Sequence, residues 1–123
     1  DQAHLDIQQA GQYRFVLEDF EGNAVGCVDL FDYDAVDRRA AIGIIIEKKY
    51  RQQGFASEAI SLMKDYAFNR IGMHQLYCSV GINNVKSLKL FESAGFKQIG
   101  IRKDWSFRNG TFHDVVEFQL INN

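Results

Sequence analysis

Ile42-Gly43-Ile44-Ile45-Ile46 runs through Glu47-Lys48-Lys49 into Tyr50-Arg51-Gln52-Gln53-Gly54-Phe55-Ala56-Ser57-Glu58-Ala59. The reading of this junction decides the fold. An unbroken apolar run marks a strand covered on both faces. Beyond the loop, Ala56, Ala59, Ile60, Met63, Ala67 and Ile71 recur at helical spacing, with Ser57, Glu58, Lys64 and Asp65 elsewhere on the wheel. The chain therefore leaves a buried strand and turns directly into a helix. The first N–H groups of a helix lack internal partners and sit at the positive end of its dipole, so such a junction suits an anion. Gly54 and the small Ala56 and Ser57 let phosphate oxygens approach, while Arg51, Gln52 and Gln53 add donors. The spacing Arg-x-x-Gly-x-Ala is neither the dinucleotide fingerprint nor a P-loop. On these residues alone, a basic solvated loop between strand and helix is an equal alternative.

Working outward, residues 12–19 alternate apolar and polar (Tyr13, Phe15 and Leu17 against Arg14, Val16 and Glu18), the pattern of a half-buried strand. Strands are expected over 24–33 and 38–46, with turns at 21–23 and 34–37. After the helix that Gly72 ends, residues 74–80 form a short strand. Asn83 or Asn84 caps a second helix with Val85, Leu88, Phe91 and Ala94 on its buried stripe and Gly95 as its left-handed stop. Strands over 96–106 and 112–121 close the chain through Arg108-Asn109-Gly110, a hairpin turn. Residues 1–11 are polar and weakly helical, and they begin without methionine, as expected of an N-terminally incomplete domain. The order β-β-β-α-β-α-β-β predicts a single α+β domain over 1–123, a mixed three-layer arrangement with a mostly antiparallel sheet and helices on both faces.

Composition narrows the function classes. A net charge of −2 without a basic footprint argues against a dedicated nucleic-acid binder. No apolar run reaches the ~20 residues that cross a bilayer, and no signal-like segment opens the chain, so a soluble cytoplasmic protein is expected. Cys27 and Cys78 have no metal-ligand spacing and read as small core residues. His4, His74 and His113 show no spacing for a triad or a metal, and no metal site is expected. Between Arg14 and Arg38 lie Glu18, Asp19, Glu21, Asp29, Asp32, Asp34 and Asp37 and no basic residue. This stretch suits a cation on one side of the protein, while for most of the seven acidic hairpin turns facing water are the better reading.

Residues 42–96 resemble the acetyl-CoA-binding core of the GCN5-related N-acetyltransferase superfamily. The resemblance rests on the apolar strand before Arg51-x-x-Gly54-x-Ala56, the helix after it, and the string Asn84-Val85-Lys86-Ser87-Leu88-Lys89-Leu90-Phe91-Glu92-Ser93-Ala94-Gly95-Phe96. Within the superfamily the pattern is most similar to bacterial spermidine/spermine N-acetyltransferases. That match extends through Gly26-Cys27-Val28-Asp29-Leu30, Arg38-Arg39-Ala40 and Asn109-Gly110-Thr111-Phe112-His113-Asp114-Val115. Ribosomal-protein N-terminal acetyltransferases share the motifs. Two positions depart from the family pattern: Phe91 stands where a tyrosine thought to protonate the leaving thiolate is usual, and Ala41 where a glutamate is common. The family domain also begins with a strand and two helices that shape the acceptor pocket, expected to lie before Asp1.

The resemblance implies acetyl transfer from acetyl-CoA to a small cationic amine such as spermidine, by direct attack without a covalent intermediate. A protein N-terminus or another small amine, and a catalytically weak CoA-binding sensor, remain alternatives. Oligomeric polyamine-acetylating relatives make a homo-oligomer an expectation. Arg51, Gln52, Gln53, Gly54, Phe55, Ala56 and Ser57 would surround the pyrophosphate. Ile44, Ile45 and Ile46 would pair with the pantetheine arm as an added strand, which requires this strand to splay from its neighbour. An amide near Ile45 or Ile46 would serve the oxyanion. Asn84 would bond the pantetheine or act as a plain N-cap, with Ser87 and Phe91 near the thiol end. An alkylammonium of pKa about 10.4 must shed a proton before it attacks. Asp29 and Asp32 are candidates either to take that proton or to hold the cationic acceptor. With Phe91 in place of tyrosine, water, Tyr77 or Ser87 would protonate the thiolate, or it would leave unassisted.

Overall fold

The structure, a computed structural model, describes residues 2–9 and 12–123, with side chains from Gln12 onward. The strands are β1 (Gln2–Gln9), β2 (Gln12–Glu18), β3 (Ala24–Asp34), β4 (Arg39–Ile46), β5 (Gln75–Gly81), β6 (Lys97–Arg108) and β7 (Thr111–Ile121). They form one sheet in the order β1-β2-β3-β4-β5-β7-β6. Helix α1 (Phe55–Asp65), prolonged by π-type turns over Tyr66–Ile71, links β4 to β5, and α2 (Val85–Ser93) links β5 to β6. Only β4 and β5 are parallel; every other neighbouring pair is antiparallel.

The weakly helical opening expected from residues 1–11 is instead β1, paired with β2 from Gln2↔Glu18 to Gln9↔Gln12. The ladder groups along the edge of β2 outweigh a weak local preference for helix. Asp1, Ala10 and Gly11 lie outside the described residues.

Register and alternation decide where the core sits. Leu30 faces Ile42, Ala40 faces Leu76, Cys78 faces Phe118 and Val80 faces Val116, so these residues share one side of the sheet. Ala59, Ile60 and Met63 of α1, Ala67 from the π-type turns, and Phe91 of α2 join them in one contiguous cluster. Both helices therefore cover the same face. The steps from β4 to β5 and from β5 to β6 run the same way across the sheet, and right-handed crossovers then put both connections on one side. Helices were expected on both faces; among the described residues the other face carries none. Arg14, Asp29, Gly43, Ile45, Ser79 and Glu117 alternate with the core positions and occupy that uncovered face.

The two sides of β4 differ in how tightly they meet their neighbours. A Cβ at Gly26 would collide with the Ile45 carbonyl oxygen and crowd Ile46, so β3 and β4 approach only because this residue has no side chain. The parallel pairing of β4 with β5 covers just Arg39↔Gln75, Ala40↔Leu76 and Ala41↔Tyr77. Beyond Ala41 the two strands part.

Gly26→Ala is expected to destabilise the fold by about 1–3 kcal/mol through overpacking, and Met63→Ala, at a site 1% exposed, by about 2–5 kcal/mol through the cavity it leaves. Urea denaturation midpoints measure both. An unchanged midpoint for Gly26→Ala would mean β3 and β4 do not meet this closely.

Candidate functional site

The fork opens into a cleft of about 610 Å³ bounded by the end of β4, the start of α1 and the first turns of α2. Its lining includes Ile44, Ile45, Ile46, Arg51, Gln52, Gly54, Phe55, Ala56, Ser57, Asn84 and Ser87. Residues separated by some forty positions in sequence are thus gathered where the junction pattern placed an anion.

Strand alternation settles which β4 amides face the gap. The Glu47 N–H donates to Val25 O at 2.8 Å, toward β3. Successive residues of a strand direct their N–H and C=O to opposite edges, so Ile45 also points toward β3, in keeping with the closeness of its carbonyl to Gly26. Ile44 and Ile46 therefore present their N–H and C=O groups to the fork. The expectation that Ile45 serves the oxyanion is corrected accordingly: the amide with access is that of Ile46, the other residue named for this role. The Ile46 carbonyl accepts a hydrogen bond from Arg51 Nε at 2.9 Å, which ties the loop to the strand end.

The loop then turns through two left-handed residues, Gln52 at φ 64° and Gly54 at φ 86°. Gly54 is the N-cap of α1 and no side chain caps that end. The amides of residues 55–57 thus meet the cleft without a helical acceptor. Gln53 turns away, its Nε2 donating to Lys49 O at 3.1 Å, and it does not line the cleft. From α2, Asn84 caps the helix by accepting from the Ser87 N–H at 3.3 Å. Its Nδ2 has no partner among the described residues, so capping leaves this donor for a ligand. Phe91 is 4% exposed, meets Phe96 edge-on at 5.2 Å and stacks toward Phe118 at 6.3 Å. It belongs to the core and not to the cofactor surface.

Tyr50, Lys86, Lys89 and Leu90 also line the cleft and were not singled out from the sequence. The signal was present: Lys86, Lys89 and Leu90 fall at i, i+3 and i+4 on the face of α2 that Asn84 opens. With Arg51, Lys86 and Lys89 surround the cleft with positive charge.

The proposed acid–base residues lie elsewhere. Asp29 is bound by Arg14 through Nε at 2.8 Å and Nη2 at 2.9 Å. Asp32 occupies an exposed bulge at φ 52°, where β3 and β4 lose register. Tyr77 pairs with Ala41 below the fork and does not line the cleft. Burial first, and the nearby Asp32 second, hold its hydroxyl above the ordinary tyrosine range. Ser87 does line the cleft. Both cysteines are discouraged as thiolates by burial, which pushes Cys78 up to about 12. No cluster of three metal-ligating side chains occurs among the described residues.

A fork whose freed strand edge runs into an uncapped helix start, under a mixed sheet, defines an acyl-coenzyme A-dependent N-acetyltransferase domain. The acetyltransferase (GNAT) domain family model matches residues 2–97, and the chain belongs to that family. Over 117 residues the chain is 32% identical to the spermidine N(1)-acetyltransferase of Vibrio cholerae, covering 95% of this chain and 68% of that protein. The Escherichia coli K12 spermidine N(1)-acetyltransferase is also 32% identical, with 95% of this chain and 62% of that protein covered. Similarity to the putative ribosomal N-acetyltransferase YdaF of Bacillus subtilis is 29% over 102 residues, 83% of this chain and 56% of that protein. Among solved structures, the Vibrio cholerae spermidine N-acetyltransferase in complex with CoA and spermine superposes with a TM-score of 0.87 at 32% identity, covering 90% of this chain and 66% of that one. A dodecameric form of the same enzyme gives 0.87 over 90% and 65%. The chain thus spans about two thirds of the length of these relatives.

Lys86→Glu combined with Lys89→Glu should weaken acetyl-CoA binding at least about tenfold at low ionic strength, with the difference shrinking as salt screens the charges. Calorimetric titration at two salt concentrations checks this. An unchanged affinity would remove the lysines from the cofactor surface.

Proposed function

We propose that the chain transfers an acetyl group from acetyl-CoA to a primary amine of a polyamine such as spermidine, by direct attack without a covalent enzyme intermediate. The observation that carries this reading is the freed β4 edge, with Ile44 and Ile46 directed into a cleft that ends at an uncapped helix N-terminus. A pantetheine arm carries two amides, which complement such an edge as a short added strand. Its pyrophosphate matches the amides of residues 55–57, with Arg51, Lys86 and Lys89 supplying opposite charge.

Bound there, acetyl-CoA supplies the thioester carbonyl that the amine attacks. In this reading the Ile46 N–H stabilises negative charge developing on the thioester oxygen. Phe91 has no hydroxyl and Tyr77 stands off the cleft, leaving Ser87 or water as the proton source. A thiol of pKa about 8.5 also departs tolerably as the thiolate. Since Asp29 is held by Arg14, water provides the simplest exit for the proton of the attacking amine. Direct attack fits a cleft lined by neither cysteine.

The substrate assignment draws on the spermidine N-acetyltransferases that resemble the chain over most of its length. We place the protein in the cytoplasm, read residues 1–123 as one domain of the family, and take a homo-oligomer as its working assembly, in line with the dodecameric relative. No nucleic-acid or membrane partner enters this reading. Among the described residues, no helix is long and apolar enough to cross a membrane. Similarity to the putative ribosomal N-acetyltransferase favours a second reading, acetylation of a protein N-terminus.

Thiol release from acetyl-CoA in the presence of spermidine, a peptide N-terminus or an aminoglycoside separates these readings. Turnover is expected with spermidine at a kcat/KM at least about tenfold above the others, a discrimination of roughly 1.4 kcal/mol. Tight acetyl-CoA binding with no turnover of any amine would instead identify a sensor module. Cys27→Ala and Cys78→Ala should each keep kcat within about twofold; loss of turnover with acetyl-CoA binding intact would bring back a covalent route.

A further inference from the structure

The face away from both helices is the open approach to the fork, since α1 and α2 fill the other side. Two residues beyond the last β4–β5 pair, Ala41↔Tyr77, Gly43 lies on one arm and Ser79 on the other. Gly43 pairs outward with Asp29 and Ser79 pairs outward with Glu117. One level of the uncovered face therefore reads Asp29, Gly43, the opening, Ser79, Glu117. Gly43 itself puts no side chain on the floor of the β4 arm, where the Phe31 ring of β3 comes within 3.3 Å of the position a Cβ would take, and a carboxylate stands one strand further out on each side.

The two carboxylates differ in what remains to them. Both oxygens of Asp29 are engaged by the Arg14 guanidinium, which also balances its charge. Glu117 is contacted by Ser79 Oγ, 2.8 Å from Oε1 and 2.8 Å from Oε2. A hydroxyl has one proton and donates to one oxygen at a time, so accepting capacity is left on Glu117. Arg102 reaches Glu117 through Nε at 3.3 Å from Oε2, while its guanidinium carbon lies 4.7 Å from the Trp105 ring centroid. The Glu117 side chain is 18% exposed, and attraction between opposite charges strengthens as water is drawn away. Val116 and Phe118, buried on either side, hold this segment of β7 against the core.

We propose that Glu117, oriented by Ser79, binds the ammonium group of the acceptor at the mouth of the fork. The assignment rests on the acetyl-transfer reading and adds to it the residue that selects a cation. It also accounts for recognition of a polycation by a chain that has Ala41 on β4 and, on β3, an Asp29 with both oxygens already taken by Arg14.

Steady-state kinetics of the full chain with spermidine and acetyl-CoA, paired with calorimetric titration of acetyl-CoA, test the proposal. Glu117→Gln should raise the KM for spermidine about tenfold or more, leave kcat within about twofold and leave acetyl-CoA affinity unchanged, as expected when a charge-assisted contact made equally in ground and transition states is lost. Ser79→Ala should give a smaller rise in KM, and Ser79→Thr should restore it. A spermidine KM unchanged in Glu117→Gln, with spermidine still turned over by the unaltered chain, overturns the role of Glu117 and leaves the acetyl-transfer reading intact. A fall in kcat at constant KM also overturns it, since that pattern belongs to a proton acceptor. If Glu117→Gln loses acetyl-CoA binding, Ser79→Ala and Glu117→Asp are judged by the same KM criterion. Absence of turnover by the unaltered chain with every amine overturns both assignments.

Discussion

Everything in this domain depends on the parallel pairing of β4 with β5 stopping at Ala41↔Tyr77. Backbone N–H and C=O groups seek partners, and a strand edge that loses its neighbour within a sheet must find water or a ligand instead. Ile44 and Ile46 carry that edge while Ile46 stays 8% exposed, with its side chain in the core. The same strand then runs through the Arg51 loop into α1, so the unpaired edge and the unpaired helix amides adjoin through chain continuity alone. Arg51 fixes their relative position by bonding the Ile46 carbonyl. A ligand that needs an amide-pairing stretch joined to an anionic group meets both demands in one cleft.

Charge is divided between the two ends of this arrangement, although the chain as a whole has a net charge of only −2. Arg51, Lys86 and Lys89 stand around the cleft, with Lys48 and Lys49 in the turn that precedes it. The acidic residues gather on β3 and its turns, where several are already engaged. Asp19 accepts from the Glu21 and Asn23 amides, Asp34 from those of Val36 and Asp37, and Asp29 holds Arg14. These bonds pull Asp19 and Asp34 below the usual carboxylate range. Two of the seven acidic residues, Asp19 and Asp34, are therefore turn acceptors, and Asp29 is an ion-pair partner within the sheet.

The junction from Ile42 to Ala59 was legible because hydrophobic period, loop composition and helix start all agree there. The two helices, the last hairpin and the capping role of Asn84 were legible for the same reason. What escaped depends on partners distant in sequence. Residues 2–9 carry no strong local pattern, and only the edge of β2 makes them a strand. The direction of the Ile45 amide depends on register with β3, which no local motif encodes. Asp29 looked available until the antiparallel register set Arg14 opposite it. Phe91 sits on a helical stripe, and from the sequence its place on the wheel fitted the core as well as the cofactor. Lys86 and Lys89 were passed over because lysines on a helix ordinarily face solvent.

The substitutions at Ala41 and Phe91 bear on how such a site would work. Among the described residues, the cleft-lining side chains include no carboxylate, histidine or cysteine, and Tyr50, a phenol among them, meets Phe55 edge-on under the Lys49 ammonium. Proton transfer then falls to water and hydroxyls, and the protein's contribution becomes positional. In the proposed reaction the rigid edge would orient the thioester and an amide would meet the developing charge, in a fork closed to solvent once the cofactor is held there. Alignment of this kind accounts for a large share of rate enhancement in general, about 7–11 kcal/mol in well-oriented reactions. Acid–base assistance adds a further 10²–10⁴-fold, on the order of 3–5 kcal/mol. On those magnitudes the loss of a tyrosine and a glutamate slows a GNAT site without abolishing it, provided the fork keeps its shape. Gly26 and the short β4–β5 pairing that set this shape therefore weigh more in such a site than any single titratable side chain.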